Sequence, residues 1–476
     1  MKNKIYSCIL TGLSLFLLWG IFSSKASADQ AFLPPEKIKY PGLEFRIPQA
    51  ERILLENGMV LFFLQDRELP LVSLSAMVRT GSLYDPPGKE GLAELTASVM
   101  RTGGTAKLSS SEIDQRLDFL AASPSISMSL DSASVQFSFL KSDLDSCLDL
   151  LSQMLKDPVF EEAKLSLAIS LKQEDLRRIA DNPQRLAFRE FNRLLYPDDP
   201  RGRYATPDSL NKIVRNDLTL FHKGYFFPAN MMIAISGDIS KEEAVNKIRQ
   251  YFGDWKNTRK AVDIALPPQQ AGHGVFLIRK QLPQSTVVSG EFSVSKKDTD
   301  YYAFSVLDFI IGSGGFPSRI FSAVRNNEGL AYSAGSFYRA RPNYGVFGTY
   351  AFTKTESTIQ ALDLINSILQ DVAAGSISQS ELDWAKKSTI NGFIFSFEQP
   401  GDVVSQQMTI DYESLPADYL SGYRKRIEAL TRADLKRVAA RYLNKGKRLT
   451  IIVGDTDRFG KLPDIWEQPV FILPQQ

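Results

Sequence analysis

A short apolar segment that ends in Gly-Asp occurs twice in this chain of 476 residues. Met231–Ile235 leads into Ser236-Gly237-Asp238, and Leu449–Val453 leads into Gly454-Asp455, with the two Gly-Asp pairs 217 positions apart. Apolar runs of this length, closed by turn residues, are typical of buried strands. In both parts of the chain, alternating apolar strands precede long helical segments. The repeat predicts an α+β fold of two similar halves, each of about 210 residues.

Helical periodicity predicts most of the helices in both halves. The predicted helices span 91–103, 110–121, 144–155, 160–179, 182–195, 241–252, 301–311, 357–373 and 378–395. A charged stretch followed by prolines and glutamines at 267–270 predicts a linker between the halves. The predicted organisation is a signal peptide at 1–28, an N-terminal arm at 29–48, a first half at 49–257, a linker at 258–273, a second half at 274–462 and a C-terminal tail at 463–476.

The amino terminus has the three-part layout of an export signal. Lys2 and Lys4 precede an apolar run, Ile5–Phe22, and the small residues Ala26-Ser27-Ala28 follow it. This layout predicts cleavage after Ala28 and a periplasmic protein with no stable membrane span once the signal is removed. An uncleaved membrane anchor is the alternative, because the apolar run is close to the length that spans a bilayer.

Composition excludes several functional classes. A net charge of +2 gives no reason to propose nucleic acid as a partner. The two histidines, His222 and His273, are far apart, so neither His-x-x-Glu-His nor its inverse exists in the sequence. We therefore expect no histidine-based zinc site and no cofactor in this chain. Cys147 is expected to be a buried apolar residue, since a catalytic cysteine needs a nearby base.

The segment Gly91–Thr105 is predicted to form an amphipathic helix. Its apolar side chains recur at helical spacing, and Gly103-Gly104 ends it. The opposite face is predicted to carry Glu94, Ala97 and Ser98.

This segment resembles the active-site helix of the insulinase/pitrilysin peptidases, family M16, which reads Gly-Leu-Ala-His-x-x-Glu-His. There, two histidines hold zinc and the glutamate activates water. The resemblance places Glu94, Ala97 and Ser98 at those three positions, and Glu174 at the family's third zinc ligand. It therefore implies a degenerate site that holds no metal. Glu94 and Glu174 are then solvated helix carboxylates, or a pair that binds a metal only weakly.

The resemblance extends from about residue 50 to residue 460 through weaker motifs in the same order. These include 226–230, which precedes the first Gly-Asp strand, and the loop 312–319. Membership of family M16 implies two homologous halves, each a mostly antiparallel sheet covered by helices, which together form a clam-like chamber.

A second motif, Arg325 to Tyr332, resembles the Arg-x-x-x-Gly-Leu-Ala-Tyr segment of the second half of the family. The resemblance implies that this arginine and tyrosine face the zinc across the chamber. The arginine would bind substrate, and the tyrosine would donate a hydrogen bond to the developing oxyanion. Asn326 departs from the glutamate that many relatives have after the arginine. The alternative is a surface arginine beside a half-buried strand tyrosine.

The glycine-rich loop of Gly312, Gly314 and Gly315 lacks the Gly-Lys-Ser/Thr ending of a phosphate loop. The resemblance implies a flexible loop that lines the chamber and handles substrate. A plain helix-capping turn is the alternative.

Together these features favour an exported, catalytically inactive M16 subunit. We expect it to pair with an active subunit that carries His-x-x-Glu-His and zinc, and to supply Arg325 and Tyr332 in trans for peptide hydrolysis. The alternative is a non-enzymatic protein that binds polypeptides or scaffolds a complex of the cell envelope.

Overall fold

The computed structural model describes residues 47–256, 259–263, 266, 268, 270–443 and 448–459, and the backbone of 470–473. The predicted signal peptide, most of the predicted arm, and parts of the predicted linker and tail lie outside these ranges. Export and cleavage after Ala28 therefore stay predictions. Within the described ranges, no helix is both long and apolar enough to cross a membrane.

The described residues of the first half contain one six-stranded sheet. Its strands are β1 (Glu51–Leu54), β2 (Val60–Gln65), β3 (Leu71–Val78), β4 (Ser125–Met128), β5 (Ala133–Leu140) and β6 (Met231–Gly237). Their order across the sheet is β1-β2-β6-β3-β5-β4. The β2–β6 pair is parallel and the other neighbours are antiparallel.

The second half repeats this arrangement. In its described part the strands are β7 (Gly274–Arg279), β8 (Gln284–Ser293), β9 (Ala331–Ala340), β10 (Gly345–Lys354), β11 (Leu449–Gly454) and β12 (Val470–Leu473). Their order is β12-β7-β11-β8-β10-β9, in which the last five strands correspond to β2-β6-β3-β5-β4 of the first sheet. The edge strands differ, because β1 precedes β2 in the chain and is antiparallel to it. The edge strand β12, which pairs parallel to β7, lies within the predicted tail and was not predicted.

Helices pack against both sheets. Over the described residues they are α1 (Leu92–Thr102), α2 (Ser110–Phe119), α3 (Leu144–Lys156), α4 (Glu162–Asp181), α5 (Pro183–Leu195), α6 (Pro207–Asn211), α7 (Arg215–Tyr225), α8 (Lys241–Phe252), α9 (Tyr301–Asp308), α10 (Thr358–Ala373), α11 (Gln379–Ile394), α12 (Pro400–Tyr412), α13 (Tyr423–Ala429) and α14 (Arg432–Tyr442). Two π-helical turns, Phe309–Ser313 and Phe321–Asn327, flank the glycine-rich loop.

Local sequence signals set several element boundaries. The β1–β2 hairpin turns at Asn57-Gly58, where Gly58 has a φ of 86° that other residues adopt with difficulty. Helix α2 begins with a capping box, in which Ser109 accepts from the amide of Glu112 and the Glu112 carboxylate accepts from the amide of Ser109.

The spacing of 217 residues seen in the sequence recurs in the fold. Pro183 starts α5 and Pro400 starts α12, and α14 follows α7 residue for residue at the same offset. Proline is favoured at the first position of a helix because its missing N–H would have no partner there. The predicted fold class, α+β with two similar halves, is confirmed.

Each half also covers the sheet of the other. Helix α5 of the first half packs its apolar face, which includes Phe191 and Leu195, against β8 and β11 of the second sheet. Helix α12 of the second half packs Val404 and Met408 against β2 and β6 of the first sheet. Polar contacts across this junction include the Tyr412 hydroxyl, which donates to the Asp131 carbonyl at 2.6 Å.

Most predicted helices lie within two or three residues of the observed bounds. Helices α6, α12, α13 and α14 were not predicted, and no bounds were predicted for α7. The apolar residues of α12 are divided between two packing partners and form no simple stripe. The helix predicted at 301–311 changes from α to π geometry at Phe309. Cys147 is buried as predicted, and burial raises the pKa of its thiol to about 12.

Candidate functional site

The three positions of the degenerate zinc motif do not share one face of α1. Glu94 and Ser98 are exposed, whereas Ala97 is 1% exposed and belongs to the apolar core of the first half. The prediction that all three lie on the polar face is therefore wrong for Ala97. Ala97 packs within the core cluster of the first half, so its methyl group is covered.

The two carboxylates of the degenerate site are each bound to cations. Lys172 donates to Glu94 Oε1 at 2.7 Å. Glu174 is paired within its own helix, at 3.2 Å to Arg177 and 3.1 Å to Arg178. In the structure, Glu94 therefore has Lys172 as its charged neighbour rather than Glu174.

This donor set does not fit zinc. A zinc site needs three or four ligand atoms that converge without a competing cation. Here the ammonium group of Lys172 lies against the Glu94 carboxylate, and the buried Ala97 has no group that accepts a proton from water. Among the described residues, no group of three or more His, Cys, Asp or Glu side chains is placed to hold a metal ion.

Arg325 and Tyr332 are in direct contact. The guanidinium carbon of Arg325 lies 5.3 Å from the centroid of the Tyr332 ring, and 4.9 Å and 5.8 Å from those of Phe321 and Phe316. This is the range of cation–π interactions. We call these four residues the Arg325 cluster.

The backbone between the two motif residues explains why they meet. Arg325 lies in the π-helical turn Phe321–Asn327, and Tyr332 is the second residue of β9. Gly329 reverses the chain with a φ of 62°, and the amide of Leu330 donates to the carbonyl of Val324 at 2.9 Å. A short helix-to-strand turn thus stacks the arginine on the tyrosine, and π-helical turns are frequent at functional sites.

The Arg325 cluster is open to solvent. Tyr332 is 78% exposed and Phe316 is 67% exposed, which is unusual for large aromatic side chains. In the part of the chain that the structure describes, no carboxylate lies within 4.0 Å of the Arg325 guanidinium. Its planar set of donors is available to a carbonyl or carboxylate, and the adjacent tyrosine hydroxyl is available as a further donor.

The glycine-rich loop positions Phe316. Gly312 lies against the backbone of Ser336 in β9, and a side chain at Gly314 would meet Trp384 at 2.6 Å. Gly315 has a φ of 75° and open space around it, and its carbonyl accepts from Ser318 Oγ at 2.6 Å. The first two glycines are therefore needed for packing and the third for the turn that leads into Phe316.

Two further residues singled out in the sequence have structural partners. Arg319 donates to both carboxylate oxygens of Glu381, at 2.6 and 2.8 Å. Burial raises the pKa of Glu381, but the hydrogen bonds from Arg319 and Ser378 outweigh it and lower the pKa to about 2. His222 lies in the last turn of α7, where burial lowers its pKa and its Nε2 is 2.9 Å from the Leu155 carbonyl.

Sequence reasoning missed the two phenylalanines of the Arg325 cluster. Phe316 directly follows the last glycine of the loop, and Phe321 lies four residues before Arg325, one helical turn away. An aromatic residue beside a flexible glycine pair is a detectable signal, but its contact with Arg325 depends on the π-helical turn. Propensity alone does not predict that turn.

Comparisons with known families match most of the chain. The family described as insulinase (peptidase family M16) matches residues 63–205, which include Glu94, Ala97, Ser98 and Glu174. The family described as the peptidase M16 inactive domain matches residues 212–389, which include Arg325 and Tyr332.

Individual relatives have low sequence identity to this chain but match it over most of its length. The zinc protease PqqE of Helicobacter pylori is 24% identical over 427 residues, which cover 86% of this chain and 93% of that protein. An uncharacterized zinc protease of Streptomyces coelicolor is 23% identical over 390 residues, which cover 78% of this chain and 82% of that protein. YmxG of Bacillus subtilis, also described as an uncharacterized zinc protease, is 22% identical over 359 residues, which cover 75% of this chain and 86% of that protein.

Solved structures share the fold. A crystal structure described as the peptidase M16 inactive domain from Pseudomonas fluorescens has a TM-score of 0.79 and 24% identity, covering 87% of this chain and all of that chain. The crystal structure of a protease from Helicobacter pylori has a TM-score of 0.76 and 21% identity, and the match covers 85% of this chain and 99% of that chain. At these identities the likeness establishes the architecture of two sheets and their helices.

Proposed function

This chain belongs to peptidase family M16, as predicted, and lacks the His-x-x-Glu-His motif of that family; from this we propose that it acts as a non-catalytic subunit. It would pair with an exported homologue that carries zinc, and would contribute Arg325 and Tyr332 to peptide hydrolysis at the partner's site. Under this proposal both chains would be periplasmic, this one after export by its predicted signal peptide.

One observation carries the proposal, namely the contrast between the two motifs. Arg325 and Tyr332 lie together on an exposed surface, and the guanidinium group has no carboxylate partner within the described residues. The zinc positions, in contrast, are taken up by the Lys172–Glu94 ion pair and a buried methyl group. A chain with this combination is suited to assist a reaction whose nucleophile another chain provides.

The two residues of this chain would act on the substrate carbonyl. The Arg325 guanidinium would donate to a backbone carbonyl or carboxylate of the peptide and hold it in place. The Tyr332 hydroxyl would donate to the oxygen that becomes negatively charged in the tetrahedral intermediate. Stacking on Phe321 and Tyr332 restricts the guanidinium before substrate arrives. Zinc, bound in the partner, would supply the activated water.

The test is peptide hydrolysis by a His-x-x-Glu-His homologue from the same genome, measured alone and with this chain. We expect the mixture to be active and the lone chain to be inactive. Tyr332→Phe, which removes only the donor, should lower kcat about a hundredfold in the mixture, and Arg325→Ala should also raise KM. Size-exclusion chromatography should show unchanged pairing for both variants.

Arg249→Ala is the matched control, because Arg249 is an exposed arginine on α8, in the other half of the chain. It should leave hydrolysis unchanged. Equal activity of the partner with and without this chain would refute the proposal and favour a polypeptide-binding or scaffold role. Stoichiometric zinc bound to the purified lone chain, together with peptide hydrolysis that a chelator abolishes, would refute the proposal by showing that this chain is itself catalytic.

A further inference from the structure

A cavity of about 480 Å³ lies between the two halves, away from the residues of the Arg325 cluster. Its walls come from the start of α1 and the loop before it, from α4, from α5 and the segment that follows it, and from the end of β9 and the start of β10. Its volume falls within the range of small-ligand sites. Seven of the side chains that line it are arginine or lysine, and we call it the arginine cavity. Four lining side chains are acidic, namely Asp85, Glu90, Asp175 and Glu94 of the degenerate zinc site.

Four of the seven cations already have acidic partners. Lys172, Arg185, Arg201 and Arg341 each lie 2.7 to 3.3 Å from a carboxylate oxygen. These ion pairs hold their side chains in place and largely cancel their charge. They build the walls of the cavity without leaving strong sites for an anion.

The other three cations, Arg189, Arg203 and Arg339, have no such partner. Over the described residues, no carboxylate lies within 4.0 Å of any of their nitrogen atoms. Arg189 Nε is buried and has no hydrogen-bond partner there at all. A buried donor that is left without an acceptor costs free energy, and a bound acceptor would recover it.

Two of the unpaired arginines contact aromatic rings. The guanidinium carbon of Arg189 lies 5.5 Å from the Tyr204 ring centroid, and that of Arg339 lies 5.1 Å from the Phe337 ring centroid and 5.7 Å from that of Phe188. Arg189 Nη2 donates to the Ala205 carbonyl at 3.4 Å. A guanidinium group that stacks on a ring can still donate hydrogen bonds from its edges.

Arginines from both halves lie near Tyr204. Burial and the charge of Glu190 raise the pKa of Tyr204, whereas a hydrogen bond with Asn192 and the charges of Arg189 and Arg339 lower it. Arg189 belongs to the first half and Arg339 to the second, and both line the cavity together with Tyr204. Arg203, which lines the same cavity, adds a third unpaired charge.

We propose that the arginine cavity binds the carboxylate groups of an acidic peptide segment, through Arg189, Arg203 and Arg339. The guanidinium group matches a carboxylate with two parallel hydrogen bonds. Apolar side chains, among them Leu176 and Val346, line the same cavity and would contact the methylene groups of a glutamate. The inference does not depend on the proposed function, because it concerns this chain alone.

The experiment measures binding of three fluorescein-labelled octapeptides to the purified full chain by fluorescence anisotropy at low ionic strength. The first contains two adjacent glutamates and an amidated carboxyl end. The second replaces the glutamates with glutamines, and the third is the glutamine peptide with a free carboxyl end. We expect the first to bind at least about tenfold more tightly than the second. Tight binding of the third as well would assign the terminal carboxylate as an additional source of the bound group.

Arg189→Gln and Arg339→Gln should each weaken binding of the glutamate peptide about tenfold, since each removes a charge-assisted pair. Arg249→Gln, which removes the same charge outside the cavity, should change it less than twofold. Circular dichroism and thermal unfolding check that all variants fold. Equal binding of the first two peptides would overturn the proposal, as would equal weakening by Arg249→Gln. If Arg325→Gln weakens binding as much as Arg339→Gln, the peptide binds at the Arg325 cluster, and the assignment to the arginine cavity is wrong.

Discussion

Asp308, a buried carboxyl group at the end of α9, should make the stability of this protein depend on pH. It is 5% exposed, and its Oδ1 accepts from Ser336 Oγ at 2.6 Å. Burial raises its pKa from 3.8 to about 6, against the hydrogen bonds from Ser336 and Ser313, which lower it. Ser336 belongs to β9, the strand that carries Tyr332.

The sign follows from proton binding in the two states. Between pH 3.8 and about 6, the folded protein keeps a proton on Asp308 that the unfolded chain has released. The free energy of unfolding therefore falls as the pH rises through this window, and the favourable contribution is complete only at lower pH. A difference of about 2 pH units, at about 1.36 kcal/mol per unit, gives a loss of about 3 kcal/mol by pH 7.

Asp308→Asn removes the titrating group and keeps an oxygen that accepts from Ser336. We expect the free energy of unfolding of this variant, minus that of the wild type, to increase by about 2.5 kcal/mol between pH 4 and pH 7, because the remaining ~0.5 kcal/mol is lost below pH 4. Urea unfolding at intervals of one pH unit measures this difference. Ser336→Ala removes a donor to the ionised carboxylate, so its own stability should fall more steeply than that of the wild type over the same range. A difference for Asp308→Asn that stays flat within about 0.5 kcal/mol would refute the reasoning.

Three other substitutions test the packing around the sites. Met408→Ala should lower the free energy of unfolding by about 2–5 kcal/mol in urea titrations, because the side chain is 2% exposed between α12 and the first sheet. Arg319→Ala should cost about 1–2 kcal/mol by the same measurement, because the partly buried Glu381 carboxylate loses the two hydrogen bonds that Arg319 donates. Gly237→Ala should cost at least about 3 kcal/mol, since its φ is 122° and a side chain there would clash with the backbone of β3. Gly88→Ala, at a φ of 81° with open space, is its control and should cost only about 1 kcal/mol in thermal unfolding; equal losses at the two glycines would contradict the role of the clash.

The sequence predicted the parts of the fold that depend on local pattern. Strands, most helices and the ends of α1 follow from periodicity and from glycine positions, and the motif that contains Arg325 and Tyr332 is contiguous in the chain. The burial of Ala97 could not be predicted this way, because it depends on how α1 packs against elements further along the chain, among them α4 and α7.

Some helices of the second half can be predicted only by comparison with the first half. Helix α12 has a weak apolar stripe of its own, yet its starting proline lies 217 positions after that of α5. Extending the spacing of the Gly-Asp pairs to every helix of the first half would have predicted α12 and α14. The arginine cavity gave no such signal, since its unpaired arginines come from distant parts of the sequence and meet only where the two halves join.

The exchange of α5 and α12 between the halves makes the two sheets mutually dependent. Expression of either half alone would leave one face of its own sheet without its covering helix, and would leave an apolar helix without a sheet to bind. Isolated halves should therefore aggregate, whereas the whole chain should unfold in a single cooperative transition. A protease that cuts between the halves would accordingly yield a nicked but associated protein rather than two separable domains.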